Sequence, residues 1–203
     1  MSFPSWHFRV PVTLLKPYKE VFLKIDKSRA SEEKTVSYKV NKVGERRYRE
    51  DIGRYFDEFE VGDIYEHQPG RTILEADNTW FTLLTMNTHP LHFDFNYAGV
   101  TEFKKPLVNS ALTISMVLGM SVSDISQKAI ANLHMTDIRL PHPVFIGDTI
   151  YAESEVLSKR ESKTRPNQGI VTVKTTGIKA DGTVFMTFER SALIPTKEYY
   201  LEK

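Results

Sequence analysis

Four stretches rich in Val, Ile, Thr and Phe follow one another through the last third of the chain, and nothing with a helical period separates them. They are Ala131 to Leu140, Asp148 to Glu161, Ile170 to Ala180 and Thr183 to Ile194. Pro141, Gly147, the run Pro166 to Gly169 and the Asp181-Gly182 pair punctuate them, and Asp-Gly is a strong two-residue hairpin signal. Strands joined by short turns pair antiparallel, so this third of the chain predicts a meandering sheet. Any helices must then lie on a face of that sheet.

The middle of the chain supplies those helices. A strand is expected over Asp63 to Ile73, after the Gly62-Asp63 turn. From Leu74 to Met86 the period changes: Leu74, Trp80, Phe81, Leu83 and Leu84 recur at helical spacings, and Glu75 and Asp77 suit the positive end of a helix dipole. Pro90 ends that pattern, and Asp94 to Phe103 resumes as a short helix. The run Asn109 to Gln127 is small or apolar on most faces, which marks a buried helix of about five turns with Asn109 or Ser110 as its cap. Strand, helices, buried helix and four strands make an α+β architecture, a hot-dog in which an antiparallel sheet wraps a long helix.

Composition limits the chemistry. The chain has 203 residues, enough for one good core. It contains no cysteine, which removes disulfides, thiolate nucleophiles and cysteine-held metals and fits a reducing cytoplasm. A formal net charge of +1 gives no global reason to expect a nucleic-acid partner. The most apolar stretch, Ala111 to Val122, is too short and too polar to cross a bilayer. Gly-x-Ser-x-Gly elbows, phosphate loops and dinucleotide fingerprints are absent, which argues against serine hydrolases, nucleotide hydrolases and Rossmann oxidoreductases.

Residues 1–53 read as a basic, loosely patterned arm, and residues 54–203 as the folded domain. Within the arm only Glu20 to Leu23 and Thr35 to Val43 have the pattern for short elements. The first nineteen residues carry no acid but lack the features of a transit or signal peptide.

Chemistry concentrates in MNTHPLHFDFNYA, Met86 to Ala98, where two histidines, a carboxamide and a carboxylate crowd a proline-turned loop. With FKKPLVNSALTISM at Phe103 to Met116 and IRLPHPVFIGDTIYAESEV at Ile138 to Val156, this loop resembles the MaoC-like dehydratases, including (R)-specific enoyl-CoA hydratases. The resemblance covers roughly residues 54 to 195. It implies syn addition of water to an α,β-unsaturated thioester, an acyl-CoA substrate, no cofactor or metal, and a homodimer or higher homo-oligomer.

The family loop runs approximately Asp-x-Asn-Pro-x-His. Its histidine corresponds to His92, its proline to Pro90, its Asn to His89 and its catalytic Asp to Asn87. The last is a departure, because an amide cannot take a proton at neutral pH. His92 is therefore expected to work as the single acid/base, with Asn87 orienting the water. Asp94 and Glu75 are the carboxylates considered to stand in for the lost acid. The family's oxyanion donor, a backbone amide at the start of the buried helix, corresponds to Ser110, with Asn109 just before it.

His89, Asp94 and Asn109 are supporting candidates, and Lys104, Lys105 and Arg139, followed by Lys159, Arg160 and Arg165, are candidate cations for the CoA phosphates. His7, His67, His134 and His142 read as structural. His89, His92 and Asp94 are close in sequence, but they straddle a turn rather than one helical face, so no metal is expected. Two other readings stay open: a thioesterase on the same fold, which would want a carboxylate base, and a non-catalytic acyl-binding subunit, which the missing Asp would permit.

Overall fold

The structure, a computed structural model, describes residues 38–200. The expected element at Glu20 to Leu23 lies outside the described residues. The other, expected at Thr35 to Val43, corresponds to β1, Tyr38–Gly44, which pairs antiparallel with β2, Arg47–Ile52, as a separate two-stranded sheet. Ion pairs of Lys39 with Glu58 (3.2 Å) and of Asp51 with Lys128 tie this hairpin to the rest of the described chain.

Five strands form the main sheet: β3 (Ile64–Thr72), β4 (Ala131–Arg139), β5 (Thr149–Glu161), β6 (Gln168–Lys179) and β7 (Val184–Pro195). They lie in the order β3-β5-β6-β7-β4, every pair antiparallel. At the β6–β7 turn Gly182 adopts φ 92°, a left-handed conformation that glycine takes without steric cost. The Asp181 side chain accepts the Thr183 N–H there at 2.9 Å. Because β3 and β4 occupy opposite edges, the chain between them must cross the whole sheet. That crossing lays the helices over its inner face.

The helices are α1 (Glu75–Leu84), α2 (Phe95–Val100) and α3 (Ser110–Met120). α3 is shorter than the sequence suggests. It ends at Met120 and passes into a wider π-type turn over Val122–Ser126. Ser121 caps the exit, its hydroxyl donating to the Leu118 carbonyl (2.7 Å) and accepting from Arg190 Nη2 (2.9 Å). Arg190 is 2% exposed, and burial pulls its guanidinium down to about 10. Its position at the carbonyl end of α3 lets the helix dipole offset part of that cost.

α3 packs closely because β6 carries Gly177 beneath it. A Cβ there would lie 2.7 Å from Phe185 and 3.1 Å from Val117. Val117, Ile73, Ile150, Phe185, Met186 and Phe188 are fully buried around this contact. A second apolar cluster gathers Phe56, Phe59, Ile125, Val156 and Val171 beneath the π-type turn. At about 25 cal/mol per Å² of apolar surface removed from water, these two clusters are the main favourable term in holding α3 on the sheet.

Among the described residues one side of α3 is covered: Leu112, Thr113 and Val117 are buried, whereas Ser110, Ala111, Ser115 and Gly119 are exposed. α1 is inverted relative to its hydrophobic pattern. Asn78 and Thr82 are its buried residues, while Trp80 (67%), Leu83 (55%) and Leu84 (77%) are exposed. Edge strand β4 is exposed at all but one position.

Candidate active site

The loop after α1 is built by its own polar side chains. Met86 takes a left-handed turn (φ 59°) that ends the helix, and the Asn87 N–H still reaches the Thr82 carbonyl at 3.0 Å. Asn87 Oδ1 then accepts the His89 N–H at 3.0 Å, an Asx turn that delivers the chain to Pro90. Pro90–His92 makes one 3-10 turn, in which proline at the first position loses no hydrogen bond. Asp94 closes the loop by capping α2, its Oδ1 accepting the N–H groups of Asn96 (2.9 Å) and Tyr97 (3.0 Å). Asp94 is thus engaged by backbone donors. Glu75, the other carboxylate considered for the lost acid, opens α1 on an exposed turn.

Backbone partners set opposite tautomers on the two loop histidines. His92 Nδ1 lies 2.9 Å from the Leu107 carbonyl. A carbonyl only accepts, so Nδ1 carries the proton and Nε2 presents its lone pair. His89 Nδ1 instead accepts the Leu91 N–H at 3.2 Å, so its proton resides on Nε2. The rings sit 6.1 Å apart, edge to face, and His89 also meets the Tyr97 ring at 5.9 Å. His92, half-buried, is the one whose free nitrogen suits a base.

The same Leu107 carbonyl links His92 to the start of α3. Asn78 Nδ2 donates to the carbonyls of His92 (2.8 Å) and Leu107 (3.3 Å), and Asn78 Oδ1 accepts the Asn109 N–H (2.8 Å). Asn109 Oδ1 in turn caps the Ala111 N–H at 3.0 Å, and its Nδ2 donates to Thr82 Oγ1 at 3.3 Å. Ser110, first residue of α3, has no intrahelical acceptor for its N–H, and no acceptor among the described residues takes it. Asn78 and Thr82 were missed by sequence reasoning. The available signal was their spacing, two polar side chains four residues apart on one face of the helix.

A cleft of about 230 Å³ opens at this end of α3. Phe103, Leu107, Val108, Leu140, Pro141, Pro143, Val144 and Phe185 form its apolar walls, with Ser110, Thr113 and His142 as its polar members. Lys105 extends over the neighbouring Phe145 ring at 4.2 Å, and Lys179 approaches the same ring at 5.7 Å while pairing with Asp148 at 2.7 Å. Lys104 stands exposed beside Lys105 with φ 60°. Arg139 ends β4, one residue before the cleft residue Leu140, and its guanidinium pairs with Asp137 at 2.9 Å. That pair holds the Arg139 group above its ordinary range. Lys159 donates to the Phe59 carbonyl at 2.8 Å, far from the loop in sequence and on the second apolar cluster. Among the described residues no group of three or more His, Asp or Glu is arranged to hold a metal ion.

A second histidine constellation has the look of a catalytic relay but not its accessibility. His67, fully buried, lies 3.0 Å through Nδ1 from Asp124 Oδ2 and 2.8 Å through Nε2 from Ser154 Oγ. Ser154 is itself fully buried and bonds Thr175 at 2.8 Å. No substrate reaches that hydroxyl, so the chain Asp124-His67-Ser154 braces the π-type turn against β3, β5 and β6.

Comparison with known proteins agrees with this arrangement. A family model described as mesaconyl-CoA hydratase matches residues 33–201. The mesaconyl-CoA hydratase of Cereibacter sphaeroides is 28% identical over 72% of this chain, and the match spans 42% of that relative, so the chain corresponds to less than half its length. Among solved structures, a protein of Archaeoglobus fulgius described as a monoamine oxidase regulatory protein is 35% identical with a TM-score of 0.64, covering 71% of this chain and 96% of its own. A Mycobacterium tuberculosis protein described as having a double hot-dog fold is 26% identical with a TM-score of 0.66, covering 71% of this chain and 45% of its own. The fold and the match over most of the chain agree, and the chain belongs to the mesaconyl-CoA hydratase family, among the MaoC-like dehydratases of hot-dog fold.

Proposed function

We propose that this chain adds water to, or removes it from, the α,β bond of an enoyl-CoA thioester, with a short dicarboxylic enoyl group of the mesaconyl kind as the preferred acyl part. The observation that carries the reading is the hydrogen bond from His92 Nδ1 to the Leu107 carbonyl. It leaves Nε2 as a base beside a helix whose first N–H has no acceptor among the described residues.

In the hydration direction, His92 Nε2 takes a proton from water as the oxygen bonds to the β-carbon. The π electrons move to the thioester oxygen, and the Ser110 N–H stabilises the resulting enolate, a contribution of about 3 kcal/mol for a well-placed donor. Nε2–H then returns its proton to the α-carbon on the same face, which makes the addition syn and leaves the imidazole neutral. Asn87 Oδ1 keeps one lone pair beyond its bond to His89, and Nδ2 remains a donor, so the amide orients the water without accepting its proton. Lys104 and Lys105 lie on the cleft side of the molecule and serve the CoA phosphates; Arg139, paired with Asp137, has the weaker claim.

The working unit in this proposal is a homodimer. The exposed strand β4, the uncovered side of α3 and the exposed Trp80, Leu83 and Leu84 form the apolar and edge-strand surface that a second copy would cover. The double hot-dog of the Mycobacterium tuberculosis relative supports it. No helix among the described residues is long and apolar enough to cross a membrane, and with no cysteine in the chain a cytoplasmic setting is proposed.

The test is to offer the purified chain mesaconyl-CoA and crotonyl-CoA and to follow conjugated-thioester absorbance together with free thiol. Loss of absorbance without thiol is expected. Thiol release would replace the proposal with hydrolysis, and binding without turnover would replace it with a carrier role.

A further inference from the structure

We infer that His142 is the specificity residue of the cleft: its imidazole binds the carboxylate that a dicarboxylic enoyl thioester carries on its β-carbon. The inference rests on the acyl-CoA reading above and adds to it the residue that separates dicarboxylic from monocarboxylic substrates.

The thioester end of the cleft is accounted for by Ser110, whose N–H has no acceptor among the described residues. Thr113 Oγ1 spends its proton on the Ser110 carbonyl at 2.8 Å and offers only lone pairs, which repel an anion. The remaining walls are aliphatic, aromatic or proline. Among the described lining residues, His142 alone is able to carry positive charge, and a volume of about 230 Å³ has room for a short acyl group but not for a nucleotide as well.

His142 is also held for the task. Its Nδ1 lies 2.8 Å from the Val184 carbonyl, so Nδ1 carries a proton there and Nε2 is the nitrogen left for a ligand. A carboxylate arriving at Nε2 draws a proton onto it, giving an imidazolium with one N–H on Val184 and the other on the substrate. Prolines stand on both sides, Pro141 and Pro143, so the backbone that presents the ring has little freedom to lose on binding. The sequence reading treated this histidine as structural. The Pro-His-Pro run and the β7 carbonyl give it instead the fixed tautomer and placement of a ligand-binding group.

The CoA phosphates have other partners. Lys105 and Lys179 gather around Phe145, whose ring meets that of the cleft residue Phe103 at 6.4 Å. His142 is therefore left for the acyl end.

The experiment measures binding and turnover separately. Affinities for methylsuccinyl-CoA and butyryl-CoA, saturated analogues with and without the carboxylate, are compared in the native chain, His142→Gln and His142→Leu. The native chain is expected to favour methylsuccinyl-CoA by about 10- to 100-fold, the range of a charge-assisted hydrogen bond, and His142→Leu to lose that preference while binding butyryl-CoA within about twofold of native. His142→Gln, which keeps a neutral donor, falls between. KM for mesaconyl-CoA should rise in parallel with that for crotonyl-CoA unchanged. Equal weakening of both analogues would overturn the assignment in favour of a phosphate or structural role, and an undiminished preference in His142→Leu would overturn it outright. Because the analogues report without turnover, failure of the hydratase reading shows separately, as absence of hydration in the native chain.

Discussion

His92 and His89 differ in what the backbone asks of them, and that difference decides which one is chemically useful. A carbonyl at His92 Nδ1 frees Nε2 as a lone pair, whereas an N–H at His89 Nδ1 consumes the lone pair there. His92→Ala should lower hydration by about 10²- to 10⁴-fold, the usual worth of a positioned acid/base, with thermal stability nearly unchanged; His89→Ala should cost much less. Steady-state rates beside a melting curve check both. The loop itself was legible because Pro90 and His92 keep their places in a family pattern from which Asn87 and His89 depart. The tautomers were not, since they depend on Leu107, distant in sequence and brought near only by the fold. The position of His142 was hidden for the same reason: its anchor, the Val184 carbonyl, sits on a strand that follows much later.

At the scale of elements, periodicity located α1 and all five sheet strands within a few residues, but it misjudged how α1 is used. Leu74, Trp80, Phe81, Leu83 and Leu84 announced the helix, yet its inward side is Asn78 and Thr82, because the neighbours awaiting it are the carbonyls of His92 and Leu107 and the N–H of Asn109. A hydrophobic stripe tells which residues avoid water, and of these only Phe81 packs on the core, while Leu74, Trp80, Leu83 and Leu84 stand exposed. Asn78→Ala would leave the Asn109 N–H and the His92 carbonyl without their partner in a buried setting, at a cost of about 3 kcal/mol. A melting temperature lowered by several degrees and a loss of activity at temperatures where the variant remains folded are the expected results. The end of α3 was equally out of reach of pattern: Ser121 and Arg190 divert it into the π-type turn, and Arg190 arrives from β7. His67→Ala, by contrast, should lower the melting temperature without altering kcat/KM of the surviving folded enzyme, since its network with Asp124 and Ser154 is sealed from substrate.

For the whole molecule, two surfaces carry consequences. Glu66 on β3 pairs directly with Glu153 on β5. Burial holds both carboxyls above the ordinary range, and Glu153 is pushed further by Glu66 and Glu155. Each binds its proton more tightly folded than unfolded, so the folded state is favoured on the acid side and loses that advantage as pH rises through the carboxylate range. Glu153→Gln should therefore stabilise the protein near neutral pH, by a few tenths to about 1 kcal/mol once solvent screening is allowed for, and the gain should shrink as the solution is acidified. Denaturant titrations at two pH values check this. The apolar exposure around α1 and β4 leads to the expectation of a solution mass twice that of the 23.4 kDa chain, measured by light scattering.

The amide of Asn78 grips both the backbone of His92, the proposed base, and the start of the helix proposed to face the substrate oxygen. A thermal fluctuation of α1 therefore carries both halves of the reaction centre in step, so the gap that the substrate must bridge stays constant while its surroundings breathe. Heat should act on such an enzyme as a single switch, with turnover persisting up to the collapse of the fold and vanishing together with it.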